Sequence, residues 1–128
     1  MKELREALET RNAEAVEALL AEDVVFCSPA LFKPYAGRAA TMVFLRAAME
    51  TFEDFRYVRT YAEDDGRGHV LMFAASVGGR ELEGADFISL DETGLVSEFR
   101  VMIRPMSGLI ALAEAMAPRV EAGMTALR

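Results

Sequence analysis

Cysteine, histidine and tryptophan are scarce in this sequence of 128 residues, which contains one, one and none of them respectively. The single cysteine, Cys27, cannot form a disulfide within the chain, and a fold without disulfides suits a reducing cytoplasm. We therefore expect a cytoplasmic protein. One histidine and one cysteine are too few for a zinc site built from those ligands, so we expect neither a metal nor another cofactor.

Positive charge and long apolar runs are also missing. The chain has 21 acidic and 14 basic side chains, a net charge of −7, and no cluster of lysine or arginine that would bind phosphates. No apolar run approaches the roughly 20 residues that cross a bilayer, and residues 1–20 are too charged for a signal peptide. Nucleic acid and membrane are therefore not expected partners.

What is present indicates one globular domain, because 52% of the residues are hydrophobic and the length fits a single core. Apolar residues at helical spacing predict two short helices within residues 2–21, separated near residues 10–12, with Asn12 as the N-cap of the second. A β-branched and aromatic run predicts a strand at residues 24–28. A loop with two prolines and a glycine follows, and residues 38–52 again have helical spacing.

The second half changes to the alternation of β-strands. Turn residues, including the pair Gly78-Gly79, separate four predicted strands, at residues 55–61, 70–77, 80–90 and 95–104. Pro105 is expected to start a last helix over residues 106–116, and Pro118 to end it. This order predicts an α+β fold with helices on one face of a curved antiparallel sheet.

Several short segments occur in a familiar order: AEDVVF at 21–26, Ser28-Pro29, PYAGRAA at 34–40, GADFISLD at 84–91 and GLV at 94–96. Their order and spacing resemble the SnoaL-like branch of the nuclear transport factor 2-like superfamily. The resemblance covers residues 1 to about 105 and implies a cone-shaped sheet wrapped around the N-terminal helices, with an added C-terminal helix. We expect a single SnoaL-like domain over residues 1–117 and a C-terminal tail over residues 118–128.

The resemblance also implies an apolar pocket for a small hydrophobic molecule and a homodimer formed through the outer sheet face. The superfamily includes ketosteroid isomerases, polyketide cyclases and non-enzymes, so the fold alone does not give the function. Ketosteroid isomerases use an aspartate before a proline, where this chain has Ser28, and a tyrosine in the first helix, where it has none. Their third group, an aspartate eight residues before a turn glycine, corresponds to Asp86, which precedes Gly94. With one of three groups kept, the sequence argues against steroid isomerisation by that mechanism.

Asp86 is the first candidate catalytic residue. It shares strand parity with Gly84, Ile88 and Leu90, so its carboxyl should point to the apolar inner side of the sheet. Burial among apolar groups raises the pKa of a carboxyl, which would let Asp86 act as a general acid or base near neutral pH. The alternative is a structural role, with the carboxyl bound by backbone amides or an arginine.

His69 is the second candidate. If Gly78-Gly79 is a two-residue turn, Leu71 lies opposite Asp86, and His69 lies two residues further along the same face. A His69–Asp86 pair, direct or through water, would be a plausible proton relay. A β-bulge would break this register. The simpler interpretation is that His69 is a solvent-exposed residue at the rim of the sheet.

The remaining candidates line the expected pocket. Ser28 has no evident base to activate it, so it is expected to bind a ligand or local backbone rather than act as a nucleophile. Tyr57 and Tyr61 carry hydroxyls, but the sequence leaves open which way they face. The expected pocket residues are Phe26, Ser28, Leu71, Phe73, Ile88, Phe99, Val101 and Ile103.

Three functions stay open at this point. The first is cofactor-independent acid/base catalysis on a carbonyl compound, of isomerase, dehydratase or cyclase type, centred on Asp86. The second is a module that binds an apolar small molecule without chemistry. The third is an association domain in which the outer sheet face dimerises and the cavity has no role.

Overall fold

The computed structural model describes all 128 residues and contains four helices and one curved, unclosed six-stranded sheet. The helices are α1 (Lys2–Glu9), α2 (Ala13–Leu19), α3 (Arg38–Thr51) and α4 (Met106–Ala126). The strands are β1 (Leu20–Cys27), β2 (Tyr35–Ala36), β3 (Glu53–Ala62), β4 (Gly68–Val77), β5 (Arg80–Leu90) and β6 (Val96–Arg104). The predicted α+β class is confirmed.

Local signals in the sequence determine most of these boundaries. Asn12 separates α1 from α2, and its side-chain oxygen accepts a hydrogen bond from the Ala15 amide at 3.1 Å, as an N-cap residue does. Gly78 and Gly79 both have positive φ angles, 56° and 78°, which a tight two-residue hairpin requires. That turn sets the register of β4 against β5 and places Leu71 opposite Asp86, as predicted.

The sheet is mixed rather than wholly antiparallel. Its strand order is β2-β1-β6-β5-β4-β3, and β1 runs parallel to β6, with Phe26 opposite Phe99. The helix α3 carries the chain from β1 across to the far edge of the sheet, so the meander β3–β6 is built back towards β1. The last strand of the meander, β6, therefore becomes the neighbour of β1, and the two run parallel.

The last helix is longer than predicted, and the expectation that Pro118 ends it is wrong. Pro118 lies inside α4, which continues to Ala126, so most of the expected tail is helical. Contacts with α3 hold the second half in place: Arg119 Nε donates to Glu50 at 3.1 Å. Gly123 also packs so closely on α3 that an added Cβ would lie 2.7 Å from a methyl carbon of Val43. Tertiary packing here overrides the helix-breaking tendency of proline.

The buried side chains form two hydrophobic clusters on the inner face of the sheet. The larger one includes residues from α1, α2, α3 and the neighbouring strands, among them Leu4, Val16, Leu71 and Ile88. The smaller one lies near the β4–β5 hairpin and includes Phe73 and residues of α4. None of the four helices combines the length and hydropathy needed to span a bilayer.

Candidate functional site

A cavity of about 660 Å³ lies between the inner sheet face and the helices, and residues of both hydrophobic clusters line it. Of its 28 lining residues, 21 are hydrophobic. This volume and this composition are typical of pockets that bind small apolar ligands. The face of α4 from Leu109 to Glu121 contributes to one wall. Six of the expected pocket residues line the cavity: Phe26, Ser28, Phe73, Phe99, Val101 and Ile103.

Leu71 and Ile88, also expected in the pocket, do not line it. Both are almost fully buried in the larger cluster, where they pack among residues of α1 and α2. They have the inward parity that the sequence indicated, but the first two helices cover this end of the sheet. The inner face is therefore solid core at one end and cavity wall at the other.

Asp86 lies at the boundary between this solid core and the cavity. It is 5% exposed, in the middle of β5, with Leu71 of β4 on one side and Val101 of β6 on the other. It lines the cavity, and both of its cross-strand neighbours are apolar. The carboxyl is thus held in low-dielectric surroundings at the inner end of an apolar pocket.

One hydrogen bond engages this carboxyl. The Tyr57 hydroxyl donates to Asp86 Oδ2 at 2.6 Å, and no other group of the chain bonds to this carboxyl. The second oxygen, Oδ1, makes no hydrogen bond within the chain, and Asp86 is one of the residues that line the cavity. A ligand in the cavity can therefore meet one free oxygen of a buried carboxyl.

The two members of this pair perturb each other and are perturbed by burial. Desolvation raises the pKa of Asp86 from 3.8 to about 7, and the Tyr57 hydrogen bond opposes that rise. Burial, and then the charge and hydrogen bond of Asp86, raise the pKa of Tyr57 well above its ordinary value of 10. Near neutral pH, Tyr57 is therefore a hydroxyl donor, and Asp86 is divided between its acid and its carboxylate form.

The role of Tyr57 was not resolved at the level of sequence. The register of β3 against β4 shifts between Tyr57 and Arg59, so Tyr57 pairs with the inward-facing Phe73 while Arg59 pairs with Met72. Tyr57 lines the cavity and packs edge-on against Phe55, with ring centroids 5.0 Å apart. Simple alternation along the strand cannot show such a shift, because a β-bulge reverses the facing of every later residue.

The structure does not bring His69 to Asp86. The ring Nε2 of His69 lies 2.9 Å from the carbonyl oxygen of Gly66, in the turn before β4, and the residue does not line the cavity. The partner of Asp86 is Tyr57 instead. The predicted register is correct, but the proton relay through His69 has no direct contact to support it.

Ser28 lines the cavity but is already engaged locally. Its Oγ accepts a hydrogen bond from the Ala30 amide at 3.0 Å, which stabilises the turn after β1. No group of three or more His, Cys, Asp or Glu side chains converges in a way that could hold a metal ion.

Besides Asp86, the charged residues that line the cavity are Glu9, Arg11, Asp54 and Glu121, and all four are exposed to solvent. Leu31, in the loop after β1, also lines the cavity and is 51% exposed. These residues mark the side on which the cavity opens. The polar side chains of the lining thus lie at its mouth, at Ser28 and at the Tyr57–Asp86 pair, and most of the remaining wall is apolar.

A family model described as the SnoaL-like domain matches residues 1–99 of the chain. The chain belongs to the SnoaL-like domain family. A steroid delta-isomerase from Pseudomonas aeruginosa is 43% identical to this SnoaL-like domain, with a TM-score of 0.90 over 97% of this chain and 90% of that one. A bacterial protein of cystatin-like fold from Silicibacter pomeroyi is 34% identical, with a TM-score of 0.91 over 98% of this chain and 88% of that one.

A nuclear transport factor 2-like protein of unknown function from Cytophaga hutchinsonii shares the fold of this SnoaL-like domain. It is 21% identical, with a TM-score of 0.64 over 83% of this chain and 88% of that one. No protein of curated function matches the sequence. These likenesses confirm the family and the fold that the sequence motifs indicated.

Proposed function

We propose that this SnoaL-like domain binds a small hydrophobic carbonyl compound and that Asp86 acts on it as a general acid, without a cofactor. The observation that carries the proposal is the free Oδ1 of a buried carboxyl beside an apolar cavity of about 660 Å³. A ligand carbonyl oxygen that reaches Asp86 would replace the hydrogen bonds that it loses on leaving water. The apolar walls would bind the rest of the ligand by burying its surface.

The proton chemistry follows from the Tyr57 contact. Tyr57 donates to Oδ2, which leaves Oδ1 as the oxygen that can carry the proton of the neutral acid. The Oδ1 hydroxyl would donate a hydrogen bond to the ligand carbonyl and stabilise the negative charge that develops on that oxygen as a C–H proton leaves. Transfer of the Oδ1 proton to the oxygen would then give the enol. Such stabilisation is strongest in low-dielectric surroundings, and Asp86 is buried among apolar neighbours. Turnover should therefore depend on the protonated form and fall as the pH rises through about 7.

This chemistry fits reactions that pass through an enol or enolate, such as isomerisation, dehydration or cyclisation. The 43% identity to a steroid delta-isomerase supports the isomerase type. The proton bound to carbon must pass to a base other than Ser28, whose hydroxyl is not ionised near neutral pH, and in an isomerisation that base returns the proton to the product carbon. The carboxylates that line the cavity besides Asp86 are Glu9, Asp54 and Glu121.

A second candidate is binding without chemistry. Two observations favour it: Ser28 stands where ketosteroid isomerases have their catalytic aspartate, and α1 contains no tyrosine. A binding module would keep its affinity for the apolar ligand without producing a new compound. The two candidates share the cavity and differ in whether a proton moves.

Filling the cavity tests whether it is the site. A β,γ-unsaturated cyclic ketone of steroid size is a suitable probe, since isomerisation to the conjugated enone is visible by ultraviolet absorbance. We expect the probe to raise the melting temperature of the parent protein, because a ligand bound to the native state stabilises it. The substitution Val101→Phe places a larger side chain in the cavity wall opposite Asp86 and so reduces the space for a ligand. It should abolish both this stabilisation and any isomerisation.

Ile110→Phe is the matched control, because Ile110 lies on α4, is 49% exposed and does not line the cavity. This variant should respond to the probe as the parent does. Equal binding and turnover in Val101→Phe and the parent would show that the cavity is not the site and would favour an association domain.

We also propose that two copies of the chain associate through the outer sheet face. This face carries the cross-strand row Met72, Ala85 and Met102, in which Met102 is more than half exposed. Apolar side chains in a row on an exposed sheet are typical of a surface that a partner covers. Sedimentation equilibrium should give the mass of two chains, and the mass of one chain at micromolar concentration would refute the proposal.

A further inference from the structure

The backbone that carries Tyr57 is held from outside the sheet by α1. β3 is the edge strand, and its irregular register leaves the Tyr57 amide free to bond outside the ladder. That amide donates to Glu9 Oε2 at 3.0 Å, across 48 positions of sequence. The last residue of α1 thus bonds to the backbone of the residue whose hydroxyl reaches Asp86.

A second contact from the same corner holds the start of this segment. Arg11, in the turn after α1, donates from Nη2 to the carbonyl oxygen of Phe52 at 2.9 Å. Between the two contact points, Asp54 has a left-handed φ of 53°, and the strand register shifts between Glu53 and Arg56. An irregular stretch of this kind has several accessible conformations unless outside contacts select one.

We propose that Glu9 is a positioning residue for the Tyr57–Asp86 pair. Its carboxylate anchors the Tyr57 backbone, and the phenol hydroxyl is thereby presented to Oδ2 of Asp86. The inference rests on the proposed function only for its catalytic consequence, because the geometry of the pair can be measured without a substrate. Glu9 lies at the solvent-exposed mouth and has no contact with Asp86 itself, so it acts through Tyr57.

The charges around the pair agree with this arrangement. Glu9 and Arg5, both from α1, are the charged groups besides Asp86 that act on the pKa of Tyr57, and they act in opposite directions. The neighbours of the pair on β4 and β6 are the apolar residues Phe73, Leu71 and Val101. Burial, followed by the effect of Asp86, raises the pKa of Tyr57 and keeps its hydroxyl protonated, as a hydrogen-bond donor to Asp86 must be.

Two NMR readouts test the proposal in the full-length chain. The first is the titration midpoint of the Asp86 carboxyl carbon, and the second is the hydrogen-exchange rate of the Tyr57 amide. In Glu9→Ala we expect the midpoint to move upward towards that of Tyr57→Phe, because the tyrosine hydrogen bond normally lowers the pKa of Asp86. The Tyr57 amide should exchange at least about tenfold faster, since its acceptor is lost.

Companion variants separate positioning from charge and from general stability. Glu9→Gln keeps an acceptor at the same reach without the charge and should restore both readouts. Glu9→Asp keeps the charge but shortens the reach, so it should behave like Glu9→Ala and serves if the alanine variant does not fold. Glu6→Ala, on the exposed side of the same helix, should behave as the parent.

A double variant provides the sharpest outcome. In a Tyr57→Phe background, Glu9→Ala should not move the Asp86 midpoint further, because the interaction through which Glu9 acts is already absent. An unchanged midpoint and unchanged amide exchange in Glu9→Ala would overturn the proposal, as would an additive shift in the double variant. Neither readout needs turnover, so a failure here is distinguishable from a failure of the proposed catalysis.

Discussion

The Asp86→Asn variant is expected to lose turnover by about 10²- to 10⁴-fold, the range that a positioned general acid contributes. Asparagine has nearly the same shape as aspartate, and its side-chain oxygen can still accept the hydrogen bond from Tyr57. It cannot give up a proton to a ligand carbonyl. The loss should therefore fall on kcat, while affinity for the apolar part of the ligand is retained.

The measurement is steady-state kinetics with the unsaturated ketone probe, combined with ligand binding followed by thermal shift. Asp64→Asn is a matched control, because Asp64 lies in the exposed turn after β3 and outside the cavity. Turnover of Asp86→Asn at the parent rate would remove the catalytic role of this carboxyl. If neither protein produces a new compound and both are stabilised equally by ligand, the domain is a binding module.

The same substitution is expected to stabilise the fold at neutral and alkaline pH. Burial raises the pKa of Asp86 from 3.8 to about 7, so the native state binds a proton more tightly than the unfolded chain does. The resulting stability is fully present below pH 4 and is lost as the pH rises to about 7. Over that interval the cost of ionising the buried carboxyl reaches on the order of 4 kcal/mol, and Asp86→Asn does not incur it.

Urea denaturation at a series of pH values checks this expectation. The difference in unfolding free energy between Asp86→Asn and the parent should be small near pH 4, grow in favour of the variant up to about pH 7, and then level off. A variant that is less stable than the parent at pH 8 would show that ionised Asp86 is well solvated or paired in the native state. A gain in stability together with a loss of turnover is the pattern expected where function opposes stability.

The features that could be predicted from the sequence are those with short-range causes. The Asn12 cap, the helical spacing of α3 and the Gly78-Gly79 turn each depend on a few neighbouring residues, and each prediction is confirmed. The turn is the most informative of them. Because a two-residue hairpin determines the register of the whole ladder, it correctly placed Asp86 opposite Leu71, each seven positions from the turn glycines.

The features that could not be predicted depend on contacts between distant segments. Pro118 stays helical because Arg119 and Gly123 pack against α3, which no local propensity describes. The parallel pairing of β1 with β6 depends on the path of the whole chain. Tyr57 faces the cavity only because of a register shift in β3, and nothing in its immediate neighbours marks that shift.

The candidate site likewise has features that the local sequence predicts and features that depend on tertiary packing. Strand parity, together with the family resemblance, predicts inward-facing positions for Phe73, Phe99, Val101 and Ile103, which line the cavity in the structure. It could not separate them from Leu71 and Ile88, which face inward too but are covered by α1 and α2. Whether an inward residue lines a cavity or a solid core depends on where the helices end, and hence on tertiary packing.

Direct titration of the Asp86 carboxyl tests the central claim most closely. In protein labelled with ¹³C at aspartate, with the Asp86 signal assigned from its absence in Asp86→Asn, the carboxyl carbon should titrate with a midpoint near pH 7. A ligand ketone bound in the cavity should move that midpoint upward, because the carbonyl accepts a hydrogen bond only from the neutral acid. A midpoint near pH 4 that does not respond to ligand would contradict the account.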